Sequence, residues 1–274
     1  MDFFQMMLWP FAACLVLAGI HCYLGLHVLQ RQVIFVDLAL AQIAALGCAA
    51  ALVAGYAHDG PESYWLSLIC TLIGAAVFSL LRLREQKVSQ EAMIGITYAV
   101  AASLMVLFLS RSGEGDEHIR EALVGNVLLV QPAEVFKMLA LYTAVGLFHF
   151  VFREKFLLIS QKPREAEERG WNIRLWDFLF YASFGLVVTS SVRIAGVLLV
   201  FSLLVIPASV AVLYAQTVRA RLLIGWVVGV LGSFLGMALS YFGDFPTGAS
   251  VVCSLAVLLS VLAFFAWACQ KKKS

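Results

Sequence analysis

The stretch Phe35-Val36-Asp37-Leu38-Ala39-Leu40-Ala41-Gln42-Ile43-Ala44-Ala45-Leu46-Gly47 decides how this chain is read. With its continuation to Gly55 it is long and apolar enough to cross a bilayer as a helix. Yet it carries an acid at Asp37 and an amide at Gln42. A carboxylate in hydrocarbon is costly unless it faces water or a polar partner, so it marks either a pathway or a packed polar contact. The rest of the sequence reads as the bundle that gives this helix something other than lipid to face.

Composition supports that reading. Of 274 residues, 62% are hydrophobic and 13% charged, against about 25% charged in soluble domains. There is too little polar surface to coat a globule, so the expected class is an all-α polytopic transmembrane helix bundle. The six cysteines sit in or beside apolar runs and form no CxxC pair, which makes them small core residues rather than a metal cluster. The start, Met1-Asp2-Phe3-Phe4, has no basic segment, and no cleavable signal is expected.

Working outward in steps of about 20 residues per span, nine candidate helices emerge: 8–28, 33–55, 63–81, 92–110, 134–152, 175–191, 194–214, 222–242 and 247–268. Ser190-Ser191-Val192-Arg193 is the expected turn between the sixth and seventh. If the tail Lys271-Lys272-Lys273 is cytoplasmic and the spans alternate, 15 of the 19 lysines and arginines lie inside. Only Arg111, Arg120, Lys137 and Arg193 remain outside, the asymmetry that sets membrane topology. This places the N-terminus outside.

Two connections exceed what a bundle needs. The outer one, 111–133, is acidic at Glu114, Asp116 and Glu117, then amphipathic from Glu121 to Pro132, and is expected to lie on or dip into the outer face. The inner one, 153–174, is densely charged; Pro163 suits a helix start, Glu165 its first turn and Gly170 its end. It reads as a short cytoplasmic helix, either a solvated linker or a docking element.

Depth singles out further residues. At 1.5 Å per helical residue, Asp37 lies about 6 Å and Gln42 about 13 Å from the inner end of the second helix, and His21 about 10 Å from the same end of the first. His21, Cys22 and Gln42 then fall near one level. Imidazole and carboxylate suit a divalent first-row metal, which makes His21 and Asp37 candidate ligands. The alternatives are interhelical hydrogen bonding for His21 and, for Asp37, snorkelling to the inner surface or a salt bridge to Arg31. Pro207, with Gly196 upstream, marks a hinge or a static kink. Asp244, in Gly243-Asp244-Phe245-Pro246-Thr247, stands at an outer mouth where it attracts cations, or serves only the turn.

No catalytic set appears: no GxSxG, no HExxH, no GxxxxGK[ST], and no Gly-Lys dipeptide at all. The chain is not expected to be an enzyme. If it transports actively, the energy enters from another subunit or from an ion gradient.

Several motifs carry a family resemblance over nearly the whole length. They are Leu24-Gly25 … Val28-Leu29-Gln30-Arg31 followed by Asp37 … Leu40-Ala41-Gln42; Glu121-Ala122-Leu123-Val124-Gly125-Asn126-Val127-Leu128; Ala166 … Gly170-Trp171-Asn172-Ile173; Arg193-Ile194-Ala195-Gly196-Val197-Leu198-Leu199-Val200 … Leu203-Leu204-Val205-Ile206-Pro207-Ala208; and Asp244-Phe245-Pro246-Thr247-Gly248-Ala249. In these the chain resembles the permease subunits of ATP-binding-cassette importers for zinc, manganese and ferrous iron.

The resemblance implies one transmembrane permease domain over 1–274 in a bacterial inner membrane, working as a homodimer. Its coupling segment, about 160–174, would meet a cytoplasmic ATPase through Arg164, Glu165, Ala166, Glu167 and Gly170. ATP would bind that partner and no cofactor would bind this chain. The divalent ion is cargo, delivered by an extracytoplasmic metal-binding protein docking near 111–133 and Asp244; no nucleic acid is involved. The substrate pathway would hold Asp37, Gln42, His21 and Asp244. The sequence departs from the family in one place: the family's histidine position reads Gln42, five residues after Asp37 rather than four. The rival reading is a secondary carrier driven by protons or sodium, with Asp37 titrating.

Overall fold

Ten helices account for the regular structure of the described residues, and most are the apolar runs themselves. The computed structural model describes residues 3–57, 60–81, 88–110 and 125–271, with backbone alone at 3, 4 and 270. In chain order the helices are α1 (Phe3–Arg31), α2 (Val36–Val53), α3 (Pro61–Leu80) and α4 (Gln90–Leu109). A 3-10 turn at Val127–Leu129 precedes α5 (Pro132–Val151), α6 (Arg153–Gln161), α7 (Pro163–Glu168), α8 (Ile173–Tyr214), α9 (Val218–Gly243) and α10 (Thr247–Lys271). The ends follow local chemistry. Proline opens α3 and α7, where its missing N–H costs nothing. Ser89 and Thr217 cap α4 and α9 by accepting from the amides of Ala92 and Ala220.

Eight of the helices are long and apolar enough to cross a membrane: α1 to α5 and α8 to α10. The difference from nine lies in α8. It has 42 residues, about 63 Å at 1.5 Å each, twice the hydrocarbon thickness. One residue inside it, Gly196 (φ 73°, ψ 161°), is not helical and joins two helices. The expected turn at 190–193 is instead continuous helix. The reason is visible in the two serines: Ser190 and Ser191 both donate to the Val187 carbonyl, at 2.9 and 2.7 Å, so neither hydroxyl pulls the backbone away.

The chain divides into two compact units, each with its own core. The first comprises Met1–Leu29, Val124–Thr143 and Ile194–Ser274. Here α9 turns a small-residue face outward to its neighbours. Gly232 lies against Leu255 of α10, Gly236 against the Val251 backbone, and Gly225 against Cys22 and the Pro207 carbonyl. Such close backbone approach is what drives helix association where lipid removes the hydrophobic incentive. The indole of Trp226 donates to the Gly19 carbonyl at 3.0 Å, tying α9 to α1.

The second unit comprises Gln30–Leu123 and Ala144–Arg193. Gly47 of α2 meets the Leu66 and Ser67 backbone of α3, and Gly74 of α3 meets Ile43. Leu40, Phe78, Ile94, Phe156, Phe180, Tyr181 and Phe184 are fully buried. Thr71 and Thr189 pair through their hydroxyls at 3.1 Å, and the Gln90 amide donates to the Tyr181 hydroxyl.

Candidate functional site

Asp37 enters on the first turn of α2 and is buried, with 1% of its surface exposed. Its Oδ1 has no hydrogen-bond partner among the described residues, and neither has Oε1 of Gln42, which is also buried. Five helical residues turn the chain through about 500°, so the two side chains leave α2 about 140° apart. They do not form one ligand pair. Nor does Arg31 answer Asp37, as the salt-bridge alternative required: that guanidinium belongs to Asp177.

His21, fully buried on α1, sits in the first unit, and Asp37 and Gln42 sit in the second. The His21 Nδ1–H donates to the Leu17 carbonyl at 2.9 Å, which leaves the lone pair on Nε2. Its ring meets Tyr142 of α5 edge-on, 6.2 Å between centroids. A donor nitrogen fixed by a backbone carbonyl is the arrangement that orients a metal-binding imidazole, though it equally suits a packed one. Among the described residues, no three or more His, Cys, Asp or Glu side chains gather as a metal site within this chain.

Asp244 is exposed and left-handed (φ 53°, ψ 40°), and its amide closes α9 on the Ser240 carbonyl. Ser240 in turn donates to the Phe245 carbonyl at 2.7 Å and pairs with Thr247 at 2.9 Å. The turn chemistry at this corner is therefore complete without a ligand.

Pro207 lies inside the second part of α8. The Gly196 break is met by Gly125 and Asn126 of the outer connection. The Asn126 amide donates to the Ile194 carbonyl at 3.2 Å, an acceptor at the break, where the helix ladder is interrupted. Gly125 (φ 64°) lies so close that a Cβ there would fall 2.2 Å from both the Ala195 carbonyl carbon and the Gly196 nitrogen. In a membrane a broken helix is tolerated where protein satisfies it, and this is such a place. Residues 125 and 126 of the outer connection thus pack on the Gly196 break; residues 111–124 lie outside the described range.

The inner connection is a built structure. In α6, Phe156 is fully buried and stacks on His149 of α5, 4.1 Å between ring centroids and 9° apart in plane. His149 pairs with Ser183 at 2.8 Å. The Lys155 ammonium rests 4.4 Å over Trp176. In α7, Ala166 is fully buried, and its carbonyl accepts the Trp171 amide as Gly170 (φ 74°) ends the helix. Glu165 pairs with Lys162 at 3.3 Å and with Arg169 at 2.8 Å. Lys162, and secondarily Arg169, hold its carboxyl below the usual carboxylate range. Arg164, Glu167 and Glu168 are exposed.

Sequence reasoning missed a buried ion pair. Arg31 Nη1 meets Asp177 Oδ1 at 2.7 Å with 2% and 0% of the side chains exposed, and Arg31 Nε donates to Ser160 at 2.8 Å. The guanidinium also lies 3.9 Å above the Phe180 ring.

Comparison with known proteins places this architecture. The profile of the ABC 3 transport family matches residues 3–266. The chain belongs to the ABC 3 transport family. Among curated relatives, the manganese import system permease protein ScaB of Streptococcus gordonii is 26% identical over 65% of this chain and 64% of its own length. The manganese transport system membrane protein MntC of Halalkalibacterium halodurans is 24% identical over 91% of this chain and 84% of its own. In solved structures, the fold matches a chain of PsaBC from Streptococcus pneumoniae in complex with Fab, with a TM-score of 0.78 and 20% identity over 96% of this chain and 91% of that one. It also matches an ABC transporter in an inward-facing conformation, at a TM-score of 0.71 and 20% identity over 95% and 88%. The ABC 3 family member described here is thus a multi-pass protein of the bacterial inner membrane and a transport permease rather than an enzyme.

Proposed function

We propose that this chain is the membrane-spanning permease subunit of an ATP-driven importer that carries a divalent transition-metal ion into the cytoplasm. The family match over residues 3–266 carries the reading. The names of the relatives favour manganese among zinc, manganese and ferrous iron. ATP is hydrolysed on a separate cytoplasmic subunit, which grips the arm formed by α6 and α7. The exposed Arg164 and Glu167 contact that subunit, while Glu165, Ala166 and Gly170 hold α7 in shape. Two copies of the chain enclose the path, and an extracytoplasmic metal-binding protein delivers the ion near Asp244. Along the path, Asp37, His21 and Gln42 offer oxygen and nitrogen donors to the passing ion, and Gly196 with Pro207 allows α8 to bend.

The chemistry asked of this chain is modest. It replaces part of the ion's hydration by a carboxylate and an imidazole, weakly enough that the ion leaves. The deciding experiment is purification of a tagged chain from its native host. Recovery of an ATPase, and manganese uptake into vesicles only when that ATPase and ATP are present, is the expected result. Uptake by the chain alone, driven by a proton or sodium gradient, would establish the carrier reading instead.

A further inference from the structure

Arg31 joins the end of one helix to two segments far along the chain. It is the last residue of α1; Asp177 is in the first turns of α8; Ser160 lies near the end of α6, three residues before α7 begins at Pro163. All three groups are within the second unit; Ser160 and Asp177 are buried, and the Arg31 side chain is 2% exposed. A buried ion pair is seldom the most stable filling of a core, because apolar side chains of similar volume avoid the cost of dehydrating two charges. What it supplies is geometry. The guanidinium fork fixes the direction of each donor, so Ser160 and Asp177 are held to one register by a single rigid plane, itself seated on Phe180.

We propose that Arg31 is a positioning residue for energy coupling. It ties the α6–α7 arm, through Ser160, to the end of α1 and, through Asp177, to the start of α8, so that displacement of the arm is delivered to both membrane helices. Those two helices carry His21 and the Gly196 break. This inference rests on the reading above, that a partner ATPase grips the arm.

The test uses the whole complex of this chain with its ATPase in proteoliposomes, with manganese as the probe ion and ATP hydrolysis measured in the same vesicles. Asp177→Asn and Arg31→Lys are expected to assemble with the ATPase as the wild type does and to hydrolyse ATP within about twofold of it. The number of ions moved per ATP should fall about tenfold, within the span usual for coupling between sites. Ser160→Ala, which spares the ion pair, should lower that ratio by a smaller factor. Because single changes to a buried pair can impair folding, the double variant Arg31→Met with Asp177→Leu serves as the folding control. It should assemble fully and still move few ions per ATP. If the double variant couples normally, or if hydrolysis and transport fall together in proportion to assembled complex, the role is packing alone and the proposal fails. A wild-type complex with no ATP-dependent uptake would instead overturn the parent reading, and this inference with it.

Discussion

Asp37 occupies a position that an apolar side chain would fill at lower cost. A buried carboxyl oxygen without a hydrogen-bond partner among the described residues pays its dehydration and gains nothing from them. Retaining it makes sense if its return lies in transport. Asp37→Asn should therefore hold or raise the melting temperature in detergent while lowering manganese uptake in starved cells about tenfold, the scale on which one oriented metal contact acts. Equal loss of stability and uptake would reduce Asp37 to a packing residue. His21→Gln keeps a polar side chain of similar reach but removes the oriented Nε2; uptake at limiting metal should fall by a similar factor and recover when metal is abundant. His21 and Asp37 were legible as polar letters inside apolar runs. Arg31 was matched with the wrong acid, Asp37, and Asp177 was passed over between Trp176 and Phe178. The same rule that singled out Asp37, an acid in an apolar run, applied to Asp177. Its partner, 146 positions away, was beyond any local pattern.

At the level of elements, the two halves of α8 depend on a contact made by backbone alone. Gly125 and Gly196 both have positive φ, and no Cβ fits between the Gly125 Cα and the Ala195–Gly196 peptide. Gly125→Ala should cost about 1–2 kcal/mol for the left-handed backbone and a further 1–3 kcal/mol for overpacking. A thermal melt should show that loss, whereas Gly146→Ala in α5, where a Cβ meets nothing within 4 Å, should hold or raise the melting temperature. The arm behaves differently, because Arg164 points into solvent from its surface. Arg164→Glu should leave the melting temperature as it is and reduce the amount of ATPase recovered with the tagged chain. Proline and glycine made the arm readable in the sequence, since each imposes one backbone geometry. The α8 break was misplaced to 190–193 because serine and arginine were read as loop letters, while serines that bond back to their own helix do not end it.

For the molecule as a whole, the side of the membrane on which Asp244 emerges depends on Gly196. The part of α8 before Gly196 has 23 residues and the part after it 18, or about 34 and 27 Å at 1.5 Å each. Each is close to a full crossing. If both cross, three spans separate the arm from Asp244, namely the two parts of α8 and then α9, and the two sites face opposite compartments. If α8 crosses once, only two spans intervene and the sites face the same compartment. The lysines and arginines favour the first arrangement, since they concentrate on the arm's side and leave the far side nearly bare. A membrane-impermeant thiol reagent decides between them, applied to a chain whose six native cysteines are replaced and which carries Glu167→Cys or Asp244→Cys. Asp244→Cys should react in intact cells from which the outer barrier has been removed, and Glu167→Cys only after the inner membrane is opened. Reaction of both sites under one condition would mean that α8 crosses once, and would remove the basis for placing the arm within reach of a cytoplasmic ATPase while Asp244 meets a binding protein outside.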